Sequence, residues 1–235
     1  MPRKHRMYLP GVPAHVVQRG NNRAASFFHE DDYRFYLAAL ADALKRYRVE
    51  LHAYVLMTNH VHLLMTPADT EGISRVMQNV GRLYVLNINR THRHTGTLWE
   101  GRHKASLVNA AENLLTCYRY IELNPLRAGM VAAPEEYPWS SYGWHAWGMP
   151  NGVVADHLLY QQLGEDASQR QQAYRQLFTE HLEASALHVM REALTHNYPL
   201  GNERFRESVE RNLGRVVGQC NRWRPPLKNK FLRPL

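Results

Sequence analysis

His60 and His62 are separated by one residue. On a strand, side chains alternate between faces, so these two imidazoles leave one face together while Val61 and Leu63 leave the other. Two nitrogen ligands on a stiff strand can hold a divalent ion. With 14 histidines in the chain, a His-x-His pair also arises by chance. Further along, Tyr120 and Asn124 are four apart and share a helix face if helical geometry persists to Asn124. A tyrosine phenol, with a pKa of about 10, is a poor nucleophile at neutral pH. Attack on a phosphodiester therefore needs a cation that polarises the phosphate. The Asn124 carboxamide is a candidate third, oxygen ligand. Mixed nitrogen and oxygen ligation suits Mn²⁺ and leaves Mg²⁺ possible. Tyr118 lies two positions before Tyr120, roughly on the opposite side, and spacing alone leaves open which of the two reacts.

The surrounding pattern supplies elements to position these groups. Residues 13–19 read as a strand stopped by the turn cluster Gly20-Asn21-Asn22. Apolar positions at three- and four-residue spacing predict a helix over 31–48. The apolar runs 51–57 and 60–66 flank Thr58-Asn59, which suggests a tight hairpin. A long amphipathic helix over 72–92 follows, then a short strand at 102–108. A helix over 111–123 is expected to end at Asn124-Pro125, because the residue before proline disfavours the α region. The order is βαββαβ plus one helix. It predicts an α+β, ferredoxin-like sheet with helices packed on it. Residues 134–150, rich in Trp, Tyr, Pro and Gly, read as an aromatic loop packed on the core. Helical periodicity over 166–195, a short helix at 203–213 and a basic tail complete the chain. The boundaries expected are a domain at 1–150 and a helical, basic extension at 151–235.

Of the 235 residues, 29 are Lys or Arg and 21 Asp or Glu, a net charge of +8. Residues 201–235 hold nine basic against three acidic side chains, a local net charge of +6. A polyanion, nucleic acid first, is the partner such a balance suggests. The two cysteines, Cys117 and Cys220, form no CxxC pair and support neither a disulfide framework nor a cysteine zinc site. No apolar run is long enough to span a membrane, and no apolar signal core follows the basic start, so a cytoplasmic location is expected.

The segment Ala53-Tyr-Val-Leu-Met-Thr-Asn-His-Val-His-Leu-Leu64 resembles the HUH motif (His, hydrophobic, His) of single-tyrosine transposases. Tyr120-Ile-Glu-Leu-Asn-Pro-Leu-Arg-Ala-Gly-Met-Val131 is similar to their nucleophile helix. The branch most resembled is the REP-associated tyrosine transposases, of insertion-sequence type. Supporting matches are His15-Val-Val-Gln-Arg-Gly-Asn-Asn-Arg23, Gly101-Arg-His-Lys-Ala-Ser106 and Tyr137-Pro-Trp-Ser-Ser-Tyr142, so the resemblance covers roughly residues 7–148. It implies a ferredoxin-like HUH core with an added helix bearing the nucleophile. It implies a metal-dependent enzyme, in bacteria acting at the nucleoid, that cuts and rejoins single-stranded DNA near hairpins of REP or palindromic type. The intermediate would be a 5′-phosphotyrosine, with His60 and His62 as ligands of Mg²⁺ or Mn²⁺ and Tyr120 as nucleophile. Asn124 stands where related insertion-sequence enzymes often have Gln, and Thr58 where many have Pro.

Holding a single strand requires cations for phosphates and flat groups for bases. Candidates in the core are Arg19, Arg23, Arg82, Arg90, Arg102 and Lys104; in the tail they are Arg222, Arg224, Lys228 and Lys230. Trp139, Trp144 and Trp147 are read as core packing rather than stacking platforms. The alternative to a transposase is a hairpin-binding protein without catalysis, such as a repressor. A replication-type or conjugative relaxase is disfavoured, because the chain has no phosphate-binding Gly-Lys-Ser/Thr loop. RNA cleavage is a further alternative. Monomer and homodimer both remain open.

Overall fold

The computed structural model describes residues 8–214, 216 and 217. Four strands, β1 (Ala14–Arg19), β2 (Val49–Met57), β3 (His60–Pro67) and β4 (Lys104–Leu107), form one sheet in the order β2-β3-β1-β4. Every neighbouring pair is antiparallel. This is the split βαβ arrangement that the sequence order predicts. Between β1 and β2 runs α1 (Glu30–Tyr47), and between β3 and β4 runs α2 (Gly72–His92). The second of these matches the range read from apolar periodicity residue for residue. Both helices pack on one face of the sheet, where Leu40, Leu44, Ile73, Val76, Val80 and Ile88 meet Val16, Leu56, Val61 and Leu63.

The two-residue turn Thr58-Asn59 closes the β2–β3 hairpin, with Met57 opposite His60. Gly20 is required beside it. A Cβ there would run into the Ala24 carbonyl oxygen and Ser26 Oγ, while the Gly20 amide donates to the Asn59 carbonyl at 2.7 Å.

The other face of the sheet carries α3 (Ala110–Glu122) and then α4 (Asn124–Arg127). The break lies at Leu123 (φ −82°, ψ 0°), and Asn124 opens α4 although proline follows it. The expected stop at Asn124-Pro125 is therefore displaced by one residue. Proline is tolerated in the first turn of a helix, where its missing N–H would have no partner anyway.

The rest of the described chain is α5 (Tyr142–Trp147), α6 (Leu158–Gln161), α7 (Ala167–Leu177), α8 (Ala184–His196) and α9 (Glu203–Leu213). The helical stretch expected over 166–195 is thus two helices. This region builds a second core on the α3 face, in which Tyr160, Tyr174, Met190 and Leu200 pack with Leu114, Tyr118 and Ile121. It also covers both sheet edges. The Leu56 amide donates to Trp139, Ser141 to Tyr54 and Ala155 to Leu51, while Leu200 donates to Leu107. Such edges would otherwise present unpaired backbone groups.

Trp139 stacks on Tyr33 with ring centroids 4.6 Å apart, and the Trp144 indole donates to Asp156. Those two follow the expectation of packing. Trp147 is half exposed, and its ring is covered by the Arg175 guanidinium at 4.2 Å. No helix of the described residues is long and apolar enough to cross a membrane.

Candidate functional site

The β1–β3 register sets Arg19 opposite His60 and Val17 opposite His62, and the β1–β4 register adds Lys104 opposite Val17. Directly opposite residues share a face. Val17, Arg19, His60, His62 and Lys104 therefore stand together on the α3 face. Val61 and Leu63 enter the core on the other face, as the two-residue period requires.

Each imidazole is held through Nδ1. Asn59 donates from Nδ2 to the Arg23 carbonyl at 2.9 Å, so its Oδ1 faces His60 Nδ1 at 2.6 Å. A carbonyl and an amide oxygen can only accept. His60 Nδ1 therefore carries the proton, and Nε2 keeps a lone pair. His62 Nδ1 lies 2.9 Å from His15 Nε2, a diagonal pair across β1 and β3. When His62 donates in that bond, its Nε2 is also free to bind a cation. Burial, with Arg19 nearby, pushes the His60 pKa down to about 4. Burial, with Arg127 adding to it, takes His15 down to about 3. Burial holds His62 well below the usual imidazole range, reinforced by His15, His60, Arg127 and Arg19. Neutral imidazoles with oriented Nδ1 groups are what a metal site needs.

From across the cavity, α3 presents Tyr120. Its ring meets those of His15 and His62 edge-on, at centroid distances of 5.6 and 5.8 Å. Tyr118 points into the second core instead, where it is fully buried against His145 and Tyr174. Burial, then the nearby Glu122, raises its pKa well above the phenolic norm. The Tyr120 carbonyl accepts from Asn124 Nδ2 and from Arg127 Nη2, each at 3.0 Å. The Arg127 guanidinium also lies over the Tyr120 ring, 4.4 Å from its centroid.

His60, His62 and Tyr120 line one cavity of about 720 Å³, together with Met57, Arg19, Arg23, Arg102, Lys104, Glu100, Asn124, Arg127 and Arg191. His60, His62, Tyr120 and Asn124 are thus brought together from β3, α3 and α4. Of the expected DNA contacts, Arg19, Arg23, Arg102 and Lys104 are at the cavity. Arg82 and Arg90 are exposed on α2 and do not line it. Arg222, Arg224, Lys228 and Lys230 lie outside the described residues. Among the described residues, no group of three or more His, Cys, Asp or Glu forms a cation site. The donors at hand for a divalent ion are the two Nε2 atoms, the Asn124 carboxamide and the Glu100 carboxylate. The imidazoles fit such an ion. The crowd of cations around them favours one that arrives with an anion.

Sequence reasoning missed His15, Asn59, Arg127, Arg191 and Glu122. Arg127 carried a signal, seven residues and about two helical turns from Tyr120. Glu122 is fully buried, and Ser141 Oγ, His145 Nδ1 and Tyr174 Oη all contact its carboxylate, at 2.5, 2.8 and 2.6 Å. It fastens the end of α3 to α5 and α7.

The protein family described as IS200-like transposases matches residues 9–124. A solved REP-associated tyrosine transposase, bound to a REP hairpin, is 18% identical, with a TM-score of 0.54 over 67% of this chain and 93% of that one. That likeness is one of fold. A crystal structure of a putative transposase from Deinococcus radiodurans is 19% identical over 51% of this chain and 96% of that one. Its TM-score is 0.34, too low to carry an argument. No curated protein matched the chain.

Proposed function

We propose, from the match of residues 9–124 to the IS200-like transposase family, that the protein cleaves and rejoins single-stranded DNA at hairpin-associated sites, with Tyr120 as nucleophile. The observation that carries the reading is the meeting of Tyr120 with the His60–His62 pair in one basic cavity, while Tyr118 is sealed in the core. We propose a catalytic domain at 1–150 and a C-terminal extension at 151–235. The relative solved with a REP hairpin supports a hairpin of REP or palindromic type as substrate.

In the cleavage step Tyr120 Oη attacks phosphorus and the bond from phosphorus to the 3′ oxygen breaks. The phenol gives up one proton and the leaving 3′ oxygen gains one, so the step is balanced. The 5′ end stays on Tyr120 as a phosphotyrosine, and attack by a 3′-OH reverses the exchange without an external energy source. A Mg²⁺ or Mn²⁺ ion held by His60 and His62, with Asn124 as third donor, would supply Lewis-acid polarisation of the phosphate. Asn59 and His15 fix the two imidazoles. Asn124 and Arg127 hold the Tyr120 carbonyl, which sets the position of the nucleophile. Arg19, Arg23, Arg102 and Lys104 neutralise flanking phosphates at the cavity.

The test is a denaturing-gel assay for protein–DNA adducts on single-stranded hairpin oligonucleotides with Mn²⁺ or Mg²⁺. The wild type is expected to form an adduct and Tyr120→Phe none. An undiminished adduct in Tyr120→Phe removes Tyr120 from the role. Tight hairpin binding without cleavage in either ion favours a binding protein instead.

A further inference from the structure

Arg127 uses only part of its guanidinium on Tyr120. Nη2 donates to the Tyr120 carbonyl, whereas Nη1 is buried and has no partner in hydrogen-bonding geometry. A buried, unpaired donor on a charged group is costly unless a ligand meets it. Arg191, on α8, lines the same cavity. Burial lowers the Arg127 pKa; the neighbouring Tyr120 opposes this and Arg191 adds to it, which places the second cation within electrostatic reach. Among the described residues neither arginine makes an ion pair. Two guanidinium groups that line one cavity without an ion pair to either repel each other in the free protein. An anion seated between them relieves that repulsion, and a small turn of the Arg127 guanidinium would bring the unpaired Nη1 to it.

We infer that Arg127 and Arg191 clamp the scissile phosphate, Arg127 reaching a non-bridging oxygen through Nη1 while its other arm holds Tyr120, and Arg191 closing the cavity from α8. The clamp rests on the cleavage reading above. It makes the nucleophile and its target share one rigid group, so a bound phosphate is brought to the phenol in register. It also gives the chain beyond residue 124 a residue that touches the reacting group.

The experiment uses the full chain, a hairpin oligonucleotide with a single-stranded flank, and Mn²⁺. Wild type, Arg127→Ala, Arg127→Lys and Arg191→Ala are compared in single-turnover adduct formation. The linkage that the wild type cuts is made either as the natural phosphate or as a neutral methylphosphonate. On the phosphate, Arg127→Ala is expected to slow adduct formation by about 100-fold, the scale for losing one preorganised donor to a developing charge. Arg127→Lys and Arg191→Ala should show smaller losses. On the methylphosphonate those penalties should shrink at least tenfold, since a group without net charge has less need of the clamp. Equal fold losses on both substrates overturn the inference, because a merely structural role is blind to the charge of the substrate. Should Arg127→Ala fail to fold, the exposed Arg191 and the Arg127→Lys variant carry the same comparison. If the wild type forms no adduct, the cleavage reading fails, and the clamp is then read in binding. One methylphosphonate is moved along the flank, and one position is expected to weaken wild-type affinity while leaving both alanine variants unchanged. Equal weakening of wild type and variants at every position overturns the clamp.

Discussion

Asn59→Ala isolates the orientation of His60 from its presence. The Asn59 Oδ1 accepts from His60 Nδ1 at 2.6 Å, and its Nδ2 is committed to the Arg23 carbonyl. Without that acceptor the neutral imidazole can exchange tautomers and turn, so Nε2 is aimed at the cavity only part of the time. Removing the outer partner of a ligating histidine costs about 10- to 100-fold in metal affinity, or about 1.4–2.7 kcal/mol. Folding loses about 1 kcal/mol with the bond to Arg23. Mn²⁺ binding measured calorimetrically should therefore weaken by about 10- to 100-fold. The Mn²⁺ concentration at half-maximal adduct formation should rise in parallel, and the rate at saturating Mn²⁺ should stay within a few-fold of wild type. Mn²⁺ affinity within twofold of wild type, in a variant of near-native thermal midpoint, would refute the argument that this bond prepares His60 as a ligand.

Tyr118→Phe should leave the adduct intact and the stability unchanged or slightly raised, because the buried Tyr118 hydroxyl has no partner in hydrogen-bonding geometry; a lost adduct would contradict this. Glu122→Ala removes the acceptor that Ser141, His145 and Tyr174 share, and should cost more than about 3 kcal/mol in urea unfolding. Glu122→Gln should cost less, and equal costs would mean that the acceptor shape is irrelevant. His52 governs part of the acid limit. Burial chiefly takes its pKa down to about 4, with His157 and His145 adding and the Ala155 carbonyl opposing. The folded pKa lies below the unfolded one of about 6.5, so this stability is complete above pH 6.5 and is lost as the pH falls towards 4. The loss amounts to about 3 kcal/mol. His52→Gln should flatten the pH dependence of the urea midpoint between pH 7 and 4.5, and an unchanged slope would refute the assignment.

Patterns of period two and period 3.6 act within a few residues, which is why so much of the frame was legible in the chain. The His60–His62 pair had to share a face once 60–66 was a strand. The helix over 72–92, the Thr58-Asn59 hairpin and the order βαββαβ followed from the same local rules. The helix break moved from Asn124 to Leu123, because a proline in a first turn permits what a proline in mid-helix forbids. The choice between Tyr118 and Tyr120 was beyond spacing. They stand about 200° apart on α3, and which one is sealed depends on Tyr160, Tyr174 and His145 arriving from later in the chain. His15 reaches His62 only through the β1–β3 register, and Arg191 reaches Arg127 only because α8 folds back on the α3 face. The sequence by itself determined the strand that carries the imidazoles and the helix that carries the phenol. Tertiary structure alone decided which tyrosine faces them, that His15 meets His62 and which cations share the cavity, because those depend on packing between segments that no local periodicity encodes.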